Sequence, residues 1–166
     1  MVAGSGHPVL LIHGGNLGWG QWYPNIAPLA KHFTVYAIDL PGGGRSTKID
    51  FNKFDFEKDL LNTVIGFIKE HKFPSVDVIG SSNGGWIALK LGLNNELPIR
   101  KLVVADGVGF SDYVSLADRI MSMPGLANFL AHSVFKPERK NKRIETLLRS
   151  VFHNKNIPLK QEFVEY

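Results

Sequence analysis

Residues 76–89 read VDVIGSSNGGWIAL. The apolar run at 76–79 is typical of a buried strand, whereas residues 83–93 have the spacing of a helix. The two are joined by a Gly-X-Ser-X-Gly turn with Ser82 at its centre. Glycines allow a strand and a helix to approach closely, and such a turn lifts the serine hydroxyl above the sheet. The stretch therefore predicts a nucleophile at Ser82, although a serine in this place can also simply cap the helix.

Short apolar runs like the one before Ser82 recur along the chain and alternate with segments of helical spacing. We predict strands at 9–12, 33–38, 76–79 and 102–105, and helices at 22–32, 56–71 and 83–93. Strands separated by helices form parallel sheets covered on both faces, because a parallel pair needs a crossover connection. The fold class is therefore α/β with a parallel sheet, and its reactive groups are expected at the carboxyl ends of the strands. After residue 107 only helical stretches follow.

A second motif follows the first predicted strand, where residues 9–16 read VLLIHGGN. A His-Gly-Gly turn in this place supplies backbone N–H groups towards the nucleophile. Donors aimed at the oxyanion of a tetrahedral intermediate stabilise it by about 3 kcal/mol each. The candidates are the N–H groups of Gly15 and Asn83. We expect His13 to hold the loop rather than to act as the general base.

A third motif, YAIDLPGGGRS at residues 36–46, is rich in glycine and by itself resembles a phosphate-binding loop. The sequence contains no Gly-Lys pair and no Gly-X-Gly-X-X-Gly. Both usual nucleotide fingerprints are therefore missing, and nucleotide binding is disfavoured.

Composition narrows the class of protein. The 166 residues include no cysteine, which excludes disulfides, thiol nucleophiles and thiolate metal sites, and fits a cytoplasmic location. No apolar run approaches the roughly 18 residues of a membrane span. The net charge of +4 arises within residues 134–166, which hold eight Lys/Arg and four Asp/Glu. A single basic stretch of this kind is usually a solvated helix face, so neither nucleic acid nor a membrane is expected as a partner.

The three motifs, together with RKLVVAD at residues 100–106, occur in the order and spacing of the α/β-hydrolase superfamily. The chain most resembles its capped esterases and carbon–carbon bond hydrolases. The resemblance implies a partial hydrolase core at 1–106 and the start of a helical cap at 107–166. It further implies an ester-like substrate, an acyl-enzyme on Ser82, and no cofactor or metal. The remaining roles that it implies are the acid at Asp106, the oxyanion hole at Gly15 and Asn83, and substrate contacts at Gly14, Asn16 and Trp86. Asp106 at the end of its strand can instead simply cap the following turn.

The resemblance is incomplete at both ends. The family orders its triad as serine, acid and histidine. Only His132 and His153 follow Ser82, and both fall in the predicted cap without a preceding strand. Residues 2–8 resemble a connector that follows two earlier strands. We therefore expect a truncated and weakly active or inactive hydrolase, whose exposed sheet edges favour a homodimer or a complementing fragment. The alternative is a non-catalytic module that binds a small molecule or a protein on the same scaffold.

Overall fold

The computed structural model describes residues 1–15, 17–50 and 53–107. The chain divides into two compact units, Met1–Phe110 and Ser111–Tyr166. The second unit lies outside the described residues, so the helical cap at 107–166 stays a prediction. In the described part of the chain, no helix is both long enough and apolar enough to cross a bilayer.

The described residues of the first unit form five strands and three helices, and a 3-10 helix at Trp19–Trp22 precedes the first of these helices. The strands are β1 (Val2–Ala3), β2 (His7–Ile12), β3 (Phe33–Ile38), β4 (Val76–Ser81) and β5 (Ile99–Ala105). The helices are α1 (Tyr23–Leu29), α2 (Phe56–His71) and α3 (Asn83–Gly92). From β2 onward, the predicted alternation of strand and helix is confirmed.

The strands form one sheet in the order β1-β3-β2-β4-β5. Strands β2 to β5 are parallel, as predicted, whereas β1 pairs with β3 in the antiparallel direction. Residues 2–8 resemble a connector, and β1 is not predictable from them, because two residues are too short to show an alternating pattern. A main-chain hydrogen bond from Ala37 to Met1 helps to hold this segment against β3. The sheet is therefore mixed at one edge.

Apolar side chains on both faces of β2 explain why its sequence is continuously hydrophobic. Leu10 and Ile12 lie in one buried cluster with residues of α2 and α3. Val9 and Leu11 lie in a second cluster, which includes Trp22 and residues of β3. Because each face is covered by helical residues, β2 is fixed in the middle of the sheet and the loop after it is held in place.

Strand β5 lies at the end of the sheet opposite β1. Among the described strands it pairs with β4, and its Val103 is 50% exposed. An apolar edge of this kind favours pairing with further polypeptide. A homodimer or complementing fragment at this edge stays a prediction.

A charged cluster joins three strands at the amino end of the sheet, away from Ser82. Asp77 on β4 is only 8% exposed and accepts hydrogen bonds from Arg100 Nε at 2.9 Å and Nη2 at 2.6 Å. His7 Nε2 lies 3.4 Å from Asp77 Oδ1. The hydrogen bonds from Arg100 lower the pKa of Asp77 below its ordinary value of 3.8. This carboxylate therefore stabilises the fold while it is ionised.

Asp77→Asn is expected to lower the free energy of unfolding at pH 7 by about 1–2 kcal/mol, since Arg100 keeps part of its solvation. Because the pKa of Asp77 is lower in the folded chain than in the unfolded chain, ionised Asp77 stabilises the fold at pH values above its unfolded pKa. That stability is lost as the pH falls through the folded pKa. The wild-type protein should therefore lose stability below about pH 4, and Asp77→Asn should lose less. Urea unfolding between pH 3 and 7 measures both effects. The exposed substitution Glu70→Gln is the control, and an equal acid response in wild type and Asp77→Asn would contradict the assignment.

Candidate active site

Ser82 occupies a strained turn between β4 and α3. Its backbone has φ 51° and ψ −117°, a conformation that costs a residue with a side chain about 1–3 kcal/mol. The Ser82 N–H donates to Ala105 O at 3.1 Å, which ties the turn to the end of β5. The side chain makes no capping hydrogen bond to α3 and is half-buried. The helix-cap alternative for Ser82 is therefore excluded.

The glycines on either side of Ser82 are required by close backbone contacts. A Cβ atom placed on Gly84 would overlap the backbone oxygens of Ile12 and His13. One placed on Gly80 would overlap the backbone of Gly84. The amino end of α3 therefore lies directly against the carboxyl end of β2, where the His-Gly-Gly loop begins.

The loop after β2 lies against Ser82. A Cβ atom on Gly14 would be 2.7 Å from Ser82 Cβ and 3.4 Å from Ser82 Oγ. Gly15 has φ 50°, is exposed, and has open space in front of its missing side chain. Gly14 therefore contacts Ser82, whereas Gly15 borders open space.

The two predicted oxyanion donors belong to the residue after Ser82 and to the loop that contacts Ser82. Asn83 is the first residue of α3, and N–H groups in the first turn of a helix have no acceptor within the helix. The partial positive charge at the helix start also favours an anion there. Gly15 belongs to the loop that contacts Ser82. Both positions suit an oxyanion hole, and their role in one stays a prediction.

His13 is fully buried and uses both of its ring nitrogens inside the protein. Its Nε2 accepts from the Leu40 N–H at 2.9 Å, so the proton of the neutral ring is on Nδ1, which donates to Gly14 O at 3.3 Å. Burial lowers the pKa of His13, and hydrogen bonding to Gly14 opposes this only in part. A neutral ring with both nitrogens engaged holds the loop and is not available as a base for Ser82.

The other described histidines lie far from the nucleophile along the sheet. His7 begins β2, His32 precedes β3, and His71 ends the helix before β4, so all three are at the amino ends of the strands. Ser82 follows the carboxyl end of β4. Of the described histidines, His13 alone belongs to the loop against Ser82, and both of its ring nitrogens are engaged within the protein. His132 and His153 lie outside the described residues.

Asp39 joins two loops at the carboxyl end of β3. Its Oδ1 accepts from the Trp19 N–H at 2.6 Å, and its Oδ2 accepts from the Arg45 N–H at 3.0 Å. A carboxylate that is bonded in this way organises its own loop. The sequence analysis did not assign this role, although an aspartate at a strand end commonly binds nearby backbone N–H groups.

Gln21 connects the His-Gly-Gly loop to the residue before the nucleophile. Its Oε1 accepts from the Gly14 N–H at 2.7 Å, and its Nε2 donates to Ser81 Oγ at 2.9 Å. Gln21 lies in the 3-10 helix, between Trp19 and the buried Trp22. The sequence analysis missed it, and the available signal was a lone polar side chain between two tryptophans.

Asp106, Asn16 and Gly14 are three further site residues that the sequence predicted. Asp106 follows the carboxyl end of β5, is exposed, and has φ 53°. It is therefore at the same edge of the sheet as Ser82, and its role as the acid stays a prediction. Asn16 lies outside the described residues. Gly14 has its N–H bonded to Gln21, so a substrate contact there would involve other atoms of this residue.

Trp86 lies one turn after Ser82 on α3. Its ring is half-buried against the core, and Lys90 Nζ is 5.5 Å from the ring centroid. Trp86 lines a groove of about 530 Å³ between α3 and β5. The lining includes Leu89, Lys90 and Leu102 but not Ser82. A substrate contact by Trp86 therefore stays a prediction.

Comparison with known proteins agrees with this arrangement. The family model described as alpha/beta hydrolase fold matches residues 7–155. The chain belongs to the alpha/beta hydrolase family. The predicted superfamily is thereby confirmed, and several relatives in this family are named as hydrolases.

Two curated relatives illustrate the range of this family. The soluble epoxide hydrolase of Corynebacterium sp. (strain C12) is 35% identical over 107 residues, which are 64% of this chain and 36% of the relative. The 2-hydroxy-6-oxo-6-(2'-aminophenyl)hexa-2,4-dienoic acid hydrolase of Metapseudomonas resinovorans is 34% identical over 114 residues, covering 66% of this chain and 38% of the relative. The chain thus spans less than two-fifths of the length of either relative.

A solved structure described as a marine microorganism esterase resembles the chain with a TM-score of 0.68 and 28% sequence identity. The similarity covers 98% of this chain and 64% of the esterase. A meta-cleavage product hydrolase from Pseudomonas fluorescens IP01 has a TM-score of 0.72 but 19% identity, so it supports the fold alone.

Proposed function

We propose that this alpha/beta hydrolase chain is a serine hydrolase that acts on carboxylic esters or related acyl bonds through an acyl-enzyme on Ser82. The supporting observation is the strained turn, which presents a half-buried Ser82 hydroxyl next to the Gly14–Gly15 loop and leaves it unused as a helix cap. Backbone strain of this kind concentrates at functional sites.

The proposed chemistry follows from these neighbours. Ser82 Oγ attacks the acyl carbon while its proton passes to a base or to solvent, and the carbonyl oxygen becomes an oxyanion between the N–H groups of Gly15 and Asn83. Each such donor is worth about 3 kcal/mol in the transition state. Collapse of this intermediate expels the alcohol and leaves an ester on Ser82, which water then hydrolyses.

A hydroxyl nucleophile favours acyl substrates over epoxides, the substrates that the name of the Corynebacterium relative gives. Attack of Ser82 on an epoxide carbon would form an ether, and water does not readily cleave an alkyl ether. Attack on an ester forms a second ester, which water does cleave. Turnover through a covalent intermediate needs that second step.

The source of the general base determines how active this polypeptide is. Since no described histidine has a free ring nitrogen beside Ser82, we expect catalysis by the oxyanion hole and binding alone, about 10³ to 10⁴ above the uncatalysed rate. Imidazole added in solution should accelerate the reaction at Ser82, because it can act as a general base. If His132 or His153 acts as the base instead, its replacement by alanine should slow the reaction, and added imidazole should restore it.

A fluorophosphonate probe tests the nucleophile directly. Ser82 Oγ forms a bond to phosphorus, fluoride leaves, and the hydroxyl proton passes to the base or to solvent. We expect the wild-type protein to be labelled and Ser82→Ala to show no labelling by intact mass. Ser5→Ala, an exposed serine at the other end of the sheet, is the matched control and should label like the wild type.

Circular dichroism establishes that each variant is folded before labelling is compared. Folded wild-type protein that stays unlabelled with imidazole present would rule out the proposal. Equal labelling of wild type and Ser82→Ala would rule it out as well, because the reactive group would then be elsewhere.

A non-catalytic binding module is the second candidate, and it is favoured because His13, in the loop against Ser82, has both ring nitrogens engaged within the protein. It predicts that an aryl ester or a related acid raises the melting temperature without being turned over. Turnover that disappears in Ser82→Ala would eliminate this candidate.

A further inference from the structure

Gln21 makes two hydrogen bonds that the proposed chemistry does not itself require. One binds the backbone of the His-Gly-Gly loop through Gly14, and the other binds the Ser81 hydroxyl at the end of β4. Gly14 and Ser81 are 67 positions apart in the sequence. A single carboxamide therefore spans the two parts from which the site is built.

The element that carries Gln21 is itself firmly held. Trp22, the next residue, is 8% exposed and lies in the cluster formed with β2 and β3. At the other end of the same 3-10 helix, the Trp19 N–H donates to Asp39. A side chain on an element anchored at both ends can impose its geometry on a glycine loop, which lacks side chains of its own.

We propose that Gln21 is a positioning residue for the oxyanion hole, an inference that rests on the function proposed above. By joining Gly14 to Ser81, it sets the distance between the Gly15 N–H and the Ser82 hydroxyl. By taking the Gly14 N–H, it leaves the next N–H along the loop, that of Gly15, to face the substrate oxygen. Gln21 has no contact with the reacting atoms in this scheme.

Four variants test the proposal. Gln21→Met has a similar length and removes both hydrogen bonds, whereas Ser81→Ala removes one. Gln21→Glu keeps an acceptor for the Gly14 N–H, and its second oxygen accepts from the Ser81 hydroxyl. Asn25→Met, an exposed amide on the following helix, is the matched control.

The first readout is the rate of fluorophosphonate labelling at Ser82, because the phosphoryl oxygen occupies the same place as the oxyanion. Gln21→Met should lower the limiting rate constant by about 10-fold to 100-fold, as expected for a small misplacement of the reacting groups. The probe concentration for half-maximal rate should change by less than about twofold, since ground-state binding is not affected. Gln21→Glu should restore most of the rate. Combining Gln21→Met with Ser81→Ala should add nothing to the effect of Gln21→Met.

The second readout does not depend on reactivity. Amide hydrogen exchange, followed by NMR, should be faster at Gly14 in Gln21→Met by about tenfold, with Val64 in the core unchanged. Unchanged exchange at Gly14 would show that Gln21 does not hold the loop. Faster exchange with an unchanged labelling rate would overturn the positioning role of Gln21. If the wild-type protein is not labelled at all, the proposed function fails, and the exchange rates alone decide whether Gln21 holds the loop.

Discussion

The Gly84→Ala variant is expected to lose about 3 kcal/mol of unfolding free energy, a large part of the stability of a domain of this size. The added Cβ atom would overlap the backbone oxygens of Ile12 and His13. Backbone oxygens at the end of a central strand cannot rotate away as a side chain does, so α3 itself must shift. Such a shift also moves Ser82 relative to Gly14, and we expect labelling at Ser82 to fall with stability.

Gly66→Ala provides the matched control. Gly66 is also a helical glycine, but it is exposed on α2 and has open space where the Cβ atom would be. Alanine there should raise stability by about 0.5–1 kcal/mol, because it lowers the backbone entropy of the unfolded chain. Urea unfolding followed by circular dichroism measures both variants. Equal effects of the two substitutions would show that α3 does not contact β2 as described.

The sheet and the turn at Ser82 were predictable because both leave a local signal. Buried parallel strands such as β2 are continuously apolar, and the glycines around Ser82 have a fixed spacing. Strand β1 has no such signal, since it consists of two residues that pair with β3 through their backbone. Its position depends on backbone pairing with a strand that is distant in sequence.

The contacts that organise the site could not be predicted in the same way. Gln21 and Asp39 act through backbone N–H groups of residues that are distant in sequence or belong to irregular loops. Such partners depend on loop geometry and leave no residue pattern. His13 is an intermediate case. Its position in the turn predicted that it holds the loop, whereas the pairing of its Nε2 with the Leu40 N–H required the structure.

His13→Ala is expected to cost about 4 kcal/mol, because it leaves a buried cavity and removes the partners of the Leu40 N–H and the Gly14 carbonyl. The same loop contacts Ser82, so labelling of Ser82 should fall as well. His32→Ala is the matched control and should change stability by less than about 0.5 kcal/mol, since His32 is exposed. A loss of less than about 1 kcal/mol in His13→Ala would contradict the assigned hydrogen bonds.

The protonation of His13 should also make the fold sensitive to mild acid. Burial lowers the pKa of His13 from its ordinary value of 6.5, so the unfolded chain binds the proton first as the pH falls. Stability therefore decreases with falling pH from about 6.5 until the pH reaches the lower pKa of the folded state. His13→Gln keeps an acceptor near the Leu40 N–H but does not titrate, so it should be less stable at pH 8 and lack this part of the acid response. The difference in unfolding free energy between wild type and His13→Gln, measured by urea unfolding at pH 5–8, separates the effect of His13 from that of Asp77, which titrates at lower pH. A constant difference across this range would show that His13 takes up its proton equally in the folded and unfolded chain.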